Sequence, residues 1–548
     1  MRRWLGLLLV LFPVLIQAAE PALRLAIREQ GDDRLYSLAP GGGQTVAPLP
    51  ADFSTPLGSL WKLFVYAWLE DNGIPEQPLQ CRGGDPQEVY CCEPGNSITR
   101  ETALVRSCGL YFAPARLGID DSAWHQYWSA RQGPQWLISL SRLAPQTRVP
   151  VVSLLDVLAT LPGRQKAREV LLDVLLDSTK PGVAGALGGR LRVKTWSWLA
   201  DNDPQARQGG MAGWLTDGTP LWVGGAGTSQ MLLNRHAERL NALLPLPANR
   251  QSGQCVLVNL FTRYPISAVR PLGGEPLTAS GALRGRYQVT FTRGSRIEME
   301  SRGDTWLMAE GDSLTLVARI DREEYVARVL DREASSTPPE AAKALAVAIR
   351  SYLLQNAGRS GECLSITDSS ASQRVSPSPA SRPSRAIAAW TEDLILAGGS
   401  VNYHSDRASP GVLSWRQAQE QAARGMRYDA ILAHAFPDAS LSRWGNPLAT
   451  CQPLPEAKAW LETQQPRWRA RLNREPGYQP PQAFAVCRKA SGFPYTDRQQ
   501  KRLYIREFFT LQDRLDLTHE YLHLAFDGYP SGHDEQYIES LTRHLLMD

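Results

Sequence analysis

The stretch Gly58-Ser59-Leu60-Trp61-Lys62-Leu63-Phe64-Val65-Tyr66-Ala67 decides how the first part of the chain is read. Residues 57–69 are apolar and aromatic with helical spacing, yet they carry a hydroxyl and an amine. Ser59 and Lys62 stand at i and i+3 on one helical face, so the amine can reach the hydroxyl and serve a nucleophile as its base. Alone, S-x-x-K is a weak signal. Two partners strengthen it: Ser107-Cys108-Gly109, and Lys194-Thr195-Trp196 within residues 191–195, which read as a strand.

Working outward, residues 20–247 read as one mixed α/β domain, with a glycine-rich run at 182–189 and a second strand at 221–225. Residues 245–253 read as a linker. Residues 254–330 alternate as strands do, for example in Tyr287-Gln-Val-Thr-Phe291 and Leu314-Thr-Leu-Val-Ala318. Residues 338–354 read as a helix opened by two prolines. The Ser-, Pro- and Ala-rich 369–385 reads as a flexible loop, and the Pro-rich 452–482 as a break. The end reads as helix 515–526, a loop, then helix 533–546. The fold class expected is α+β and multidomain: 20–247, 254–450, and a small helical end at 451–548.

Composition narrows the function classes. At 548 residues the chain is too long for one hydrophobic core. Net charge is +4 with no long basic run, which gives nucleic-acid binding little support. Its 16 Trp are scattered as core residues are. Arg2 and Arg3 precede a 12-residue apolar run at 5–16, followed by the small-residue sites Ile16-Gln17-Ala18 and Gln17-Ala18-Ala19. Residues 1–19 therefore read as a signal peptide, too short to span a bilayer, and the periplasm is the expected location. No Cys stands directly after the cleavage sites, and no later run reaches 18 apolar residues.

The eight cysteines group as four, two and two, which in an exported chain indicates disulfides. The expected pairs are Cys255–Cys363, Cys451–Cys487, and two among Cys81, Cys91, Cys92 and Cys108.

The first motif set resembles the penicillin-binding transpeptidase and serine β-lactamase superfamily. Ser59-Leu-Trp-Lys62 is similar to its active-site helix, Ser107-Cys-Gly-Leu-Tyr-Phe to its S-x-N element, and Val193-Lys-Thr-Trp to its K-T-G strand. The resemblance implies Ser59 as acylated nucleophile, Lys62 as base, Ser107 as proton relay, and Lys194 and Thr195 as carboxylate-binding groups. Gly109 stands where that family has an Asn that meets the substrate amide. Trp196 replaces a Gly, and its indole is expected to crowd substrate against the strand.

The middle resembles the stage II sporulation protein D and amidase-enhancer family, which acts on peptidoglycan glycan. Tyr325-Val-Ala-Arg-Val-Leu-Asp-Arg-Glu333 is similar to a strand ending in Glu, and Pro339-Glu-Ala-Ala-Lys-Ala-Leu-Ala-Val-Ala-Ile-Arg350 to the helix after it. Residues 367–373, with Gln373, and 425–437 fit as well. The resemblance implies glycan binding, with Glu333 as acid/base for lytic cleavage.

Near the end, Leu517-Thr-His519-Glu520-Tyr-Leu-His523 is an HExxH pattern similar to that of zinc proteases. His519 and His523 at i and i+4 can share one Zn²⁺, with Glu520 beside them as the group that polarises water. For the third ligand, Glu535, Glu539 and His533 remain open. Of the two glutamates, one would ligate and the other orient a histidine.

The order of parts, with the tail Gly492-Phe-Pro-Tyr-Thr-Asp497, resembles predicted secreted bacterial proteins of unknown function encoded near a bacterial α2-macroglobulin, a candidate partner. The expected function is a periplasmic, peptidoglycan-associated hydrolase with a zinc metallopeptidase-like site. The alternative is a non-catalytic scaffold that holds glycan or stem peptide in degenerate enzyme folds.

Overall fold

The computed structural model describes residues 23–176, 186–199, 206–245, 253–311, 313–397, 401–407, 409, 411–437, 439–445, 451–481, 484–488, 494–498 and 501–547. The signal segment 1–19, part of the glycine-rich run, linker residues 246–252 and Gly492 lie outside the described residues. The chain forms two compact units. The first takes Met1–Arg168, Val193–Trp214 and Gly218–Ala237; the second takes Glu169–Arg192, Leu215–Asp217 and Glu238–Asp548.

The first unit is built on a six-stranded sheet in the order Gln44–Pro48, Asp32–Leu38, Leu23–Glu29, Pro220–Ala226, Arg207–Leu215, Leu191–Leu199. The N-terminal hairpin thus pairs with strands that follow it by nearly two hundred residues, antiparallel through Leu25 and Val223. The apolar 57–69 stretch begins with a 3₁₀ turn, Gly58–Leu60, and continues as the helix Trp61–Asp71. Every residue from Lys62 to Leu69 is buried, so this helix is apolar all round because it is enclosed all round. Gly58 has φ +48°, and a Cβ there would lie 2.8 Å from the Ser197 carbonyl oxygen, so only glycine fits. Disulfides Cys81–Cys92 and Cys91–Cys108 brace the segment between this helix and the helix Arg100–Arg106.

The second unit contains a seven-stranded sheet in the order Ile266–Pro271, Gly281–Phe291, Arg296–Glu310, Ser313–Asp321, Cys255–Leu260, Cys363–Thr367, Gly358–Ser360. Cys255 and Cys363 are bonded, tying two adjacent parallel strands. The segment ending at Glu333 is a helix, Arg322–Glu333, where a strand was expected. Tyr325, Val326, Val329 and Leu330 bury one helical side, Asp321 caps its N-terminus by accepting from the Glu323 N–H, and Glu323 and Glu324 fill its first turn.

Beside it packs the helix Pro339–Asn356. Arg350, fully buried, pairs with Glu323 at 2.5 Å and donates to the Leu394 carbonyl at 2.9 Å. Arg322, also buried, pairs with Glu323 at 2.7 Å and with Asp393 at 2.5 Å.

Two breaks expected from composition are partly helical. The loop at 369–385 gives way to the helix Arg382–Trp390, capped by Ser381 with Pro383 in its first turn. The 452–482 region holds the helix Pro455–Leu472, whose first residue is a tolerated N-terminal proline and which also contains Pro466. Nor is the C-terminal end purely helical. A four-stranded sheet, Gln452–Pro453, Ala485–Arg488, Arg502–Ile505, Tyr495–Asp497, packs with the helices Leu511–Ala525 and Glu535–Met547 around Leu461, Trp468, Leu503, Tyr521 and Ile538. Its short strands carry too few residues for an alternation to show. Cys451–Cys487 closes this part.

The Cys255–Cys363 bond closes a separation of 108 residues. Replacing both cysteines by serine is expected to lower stability by about 2–5 kcal/mol, read as a drop in denaturation midpoint under oxidising conditions. An unchanged midpoint would mean that the strand pairing alone holds this sheet.

Candidate functional site

The helix Leu511–Ala525 starts at a capping box of Thr510 and Asp513, and carries His519 and His523 on consecutive turns with Glu520 next to His519. The His519 and His523 Nε2 atoms face each other at 3.0 Å. Glu535, first residue of the next helix, lies 3.2 Å from His519 Nε2 and 3.5 Å from His523 Nε2. These three side chains converge as a metal-competent set, with ligand atoms all within 4.8 Å of one another. His523 Nδ1–H donates to the Gly532 carbonyl at 2.7 Å, which turns the Nε2 lone pair toward Glu535 and His519. Burial lowers the His523 pKa.

Glu520 is 7% exposed, and its carboxylate accepts from the Thr496 hydroxyl at 2.7 Å. Burial pushes its pKa up to about 7, with Glu535 and Asp516 adding to the rise. A cavity of about 440 Å³ opens beside His519 and Glu520, lined also by Pro494, Leu515, Glu539 and Arg543.

Two of the candidate third ligands have other partners. His533 is turned to Arg498, whose Nη1 lies 2.6 Å from its Nδ1, because the 3₁₀ turn Pro530–His533 carries it off the helix. Glu539 pairs with Arg543 at 2.6 Å, one turn along its own helix, and lines the cavity beside His519. Thr496 and Arg498 were not legible as site residues. Thr496 lay inside the tail already singled out, but only the packing of its strand against the helix shows what it holds.

In the first unit, Ser59, Lys62 and Ser107 are brought together. Lys62 Nζ donates to Ser59 Oγ at 3.4 Å, Ser107 Oγ at 3.1 Å and the Ser107 carbonyl at 2.7 Å. Ser107 ends its helix in the left-handed region at φ 63°. Burial lowers the Lys62 pKa to about 8, so its amine sheds a proton near neutrality. Lys194 is fully buried. Its Nζ donates to the Thr195 carbonyl at 3.2 Å, and burial, with Lys62 close by, holds its pKa well below that of a free lysine. Trp196 does not crowd the strand's outer side. It is 2% exposed and stacks on Trp222 at 6.0 Å, filling core where the sheet needs volume.

Glu333, the last residue of its helix, is gripped by Arg374. The carboxylate accepts from Arg374 Nη2 at 2.7 Å, Nε at 3.1 Å and the backbone N–H at 2.8 Å. Gln373 is fully buried, accepting from the Tyr325 hydroxyl and donating to the Ile349 carbonyl at 3.2 Å.

Comparison with known proteins defines a class first. The predicted secreted protein family DUF2300 matches residues 83–205 and 411–531, and the stage II sporulation protein family matches 310–395. The chain is thus multidomain and α+β, with segments similar to a predicted secreted protein family and to a stage II sporulation protein family.

The chain belongs to the family of the uncharacterized protein YfaQ of Escherichia coli (strain K12). The two are 62% identical over 545 residues, covering 100% of this chain and 99% of that one. Two class D β-lactamase structures are also similar over part of the chain. One is from Bacillus subtilis (11% identity, 40% of this chain and 91% of that one, TM-score 0.28), the other from Sebaldella termitidis (8%, 40% and 85%, 0.26). Those likenesses are too slight to carry an argument. No helix among the described residues is long and apolar enough to cross a membrane.

The Lys62 side-chain resonance, followed by NMR, should titrate near pH 8, losing its proton as pH rises, whereas an ordinary lysine titrates near ~10.4. A midpoint above about 10 would mean that the amine is not desolvated.

Proposed function

We propose that this protein is a periplasmic, peptidoglycan-associated hydrolase whose C-terminal part is a zinc peptidase-like centre. The observation that carries the reading is the convergence of His519, His523 and Glu535. Two imidazole nitrogens and one carboxylate are a donor set suited to zinc, and the hydrogen bond from His523 Nδ1 to Gly532 is the outer-sphere contact that orients such a ligand. When bound, zinc supplies a Lewis acid for a peptide carbonyl.

The remaining steps belong to the chain's own residues. Glu520, buried and held at one oxygen by Thr496, keeps its other oxygen to take a proton from the attacking water and return it to the leaving amine. Its pKa near 7 suits both directions of transfer. The adjoining cavity gives a peptide room beside His519 and Glu520. In the same unit, the Glu333 region engages the glycan strand. A bacterial α2-macroglobulin is the proposed partner in the envelope.

A second reading, a cell-wall-binding scaffold, is favoured in the first unit by one observation. The Lys194 amine is fully enclosed and spent on the Thr195 carbonyl, which leaves it poorly placed for a carboxylate ligand.

The test is metal content. Protein purified from the periplasm should carry about one zinc per chain, and His523→Ala should lose it. Glu520→Gln should keep the zinc and its melting temperature while peptide cleavage falls by about 10²-fold or more. Zinc absent from wild type after reconstitution would end the peptidase reading and leave the scaffold.

For the first unit, a fluorescent penicillin should label wild type and not Ser59→Ala. Equal labelling, or none in either, removes Ser59 as a nucleophile.

A further inference from the structure

Gly109 is a glycine that neither its backbone nor its surroundings require. It opens the short helix Gly109–Phe112 outside the left-handed region. A Cβ there would meet atoms only at ordinary contact distances: Lys62 Cε at 3.6 Å, Gln87 Oε1 at 3.8 Å and Lys62 Nζ at 4.0 Å. The missing side chain therefore leaves an opening bordered by the Lys62 amine and the Gln87 carboxamide. The same amine donates to Ser59 and Ser107, and neither serine is fully buried, so the opening lies beside the candidate nucleophile.

Gln87 reaches this place from a separate segment whose backbone is firmly held. Its 3₁₀ turn, Pro86–Tyr90, is capped by Asp85, whose carboxylate accepts from the Gln87 N–H at 2.8 Å. The Cys91–Cys108 bond ties the end of that turn to the residue between Ser107 and Gly109, and Cys81–Cys92 closes the segment on itself. Arg106 donates to the Cys91 carbonyl at 3.3 Å. Only the carboxamide is left unspent: Gln87 is exposed, and its side chain makes no hydrogen bond among the described residues. A fixed backbone with a free amide suits a binding contact, since little ordering of the chain is needed and no internal bond must break first.

A carboxamide carries both a carbonyl acceptor and N–H donors, which complements a secondary amide, with one of each. We infer that Gln87 is a specificity-determining residue of the Ser59 site, its carboxamide hydrogen-bonding an amide carried on the carbon next to the carbonyl that Ser59 attacks, with the opening at Gly109 admitting that amide. Acyl donors of peptide type meet this requirement, because each peptide carbonyl is attached to a carbon that bears an amide nitrogen. In the step itself the Ser59 oxygen bonds to the carbonyl carbon, the carbon–nitrogen bond breaks, and the hydroxyl proton passes by way of Lys62 to the leaving nitrogen. The inference rests on Ser59 as nucleophile and adds to it a residue from outside the three motifs.

The test compares acylation rates of the mature full-length chain by two probes, beside thermal melts. Benzylpenicillin carries an amide next to its reacting carbonyl; the unacylated penicillin nucleus carries a bare amine there. Gln87→Ala should slow acylation by benzylpenicillin about three- to tenfold, the effect of one hydrogen bond, and leave the rate with the nucleus within about twofold of wild type. Gln87→Met keeps the length of the side chain and loses the amide, so it should behave as Gln87→Ala does. Both variants should melt with wild type, because the Gln87 side chain has no internal hydrogen bond to lose.

Variants that react with benzylpenicillin as fast as wild type, or that slow with both probes alike, overturn the assignment of Gln87 and leave Ser59 in place. Wild type that melts normally and is acylated by neither probe brings down the Ser59 reading and the Gln87 contact with it.

Discussion

Buried arginine demands partners, and much of the second unit is arranged to supply them. Arg322 and Arg350 are enclosed, and a guanidinium taken out of water without an acceptor is far costlier than an ordinary packing defect. Glu323 bridges the two, Asp393 holds Arg322, and the Leu394 carbonyl takes a further donor of Arg350. Those contacts bind the helices Arg322–Glu333 and Pro339–Asn356 to the segment around residue 393. Glu333 sits at the end of the first helix, so its position follows from the packing of the charges at the other end.

The candidate centres share a physical device: an ionisable side chain is moved out of water by the helix that bears it, and its proton affinity shifts accordingly. Lys62 goes down because burial disfavours its charge, and Glu520 goes up for the same reason. Each is left with a hydrogen-bonding partner of fixed geometry, Ser107 for the lysine and Thr496 for the glutamate. Glu333 departs from this pattern. Its carboxylate is paired with the Arg374 guanidinium near the surface.

Patterns of local spacing were legible. The S-x-x-K pair, the HExxH pair and the grouping of the cysteines each depend on residues a few positions apart or on compartment chemistry, and the helices Trp61–Asp71, Pro339–Asn356 and Leu511–Ala525 follow the periodicities that announced them. The helix Arg322–Glu333 was misread because its long polar side chains obscure the apolar stripe of Tyr325, Val326, Val329 and Leu330. Prolines at 455 and 466 argued against a helix that tertiary packing of Leu461 and Trp468 stabilises regardless.

What the chain determined by itself is therefore the local chemistry: which helix faces carry a hydroxyl with an amine, or two imidazoles with a carboxylate, and that its cysteines pair. What only the tertiary structure decided is which distant group completes each set. Glu535 rather than His533 or Glu539 meets the histidines, Trp196 turns into the core, and Arg374 comes to Glu333. The physical reason is that spacing along a helix is set by its own hydrogen bonds, whereas contacts between elements are set by how buried apolar faces and buried charges find room together, which no short window of sequence contains.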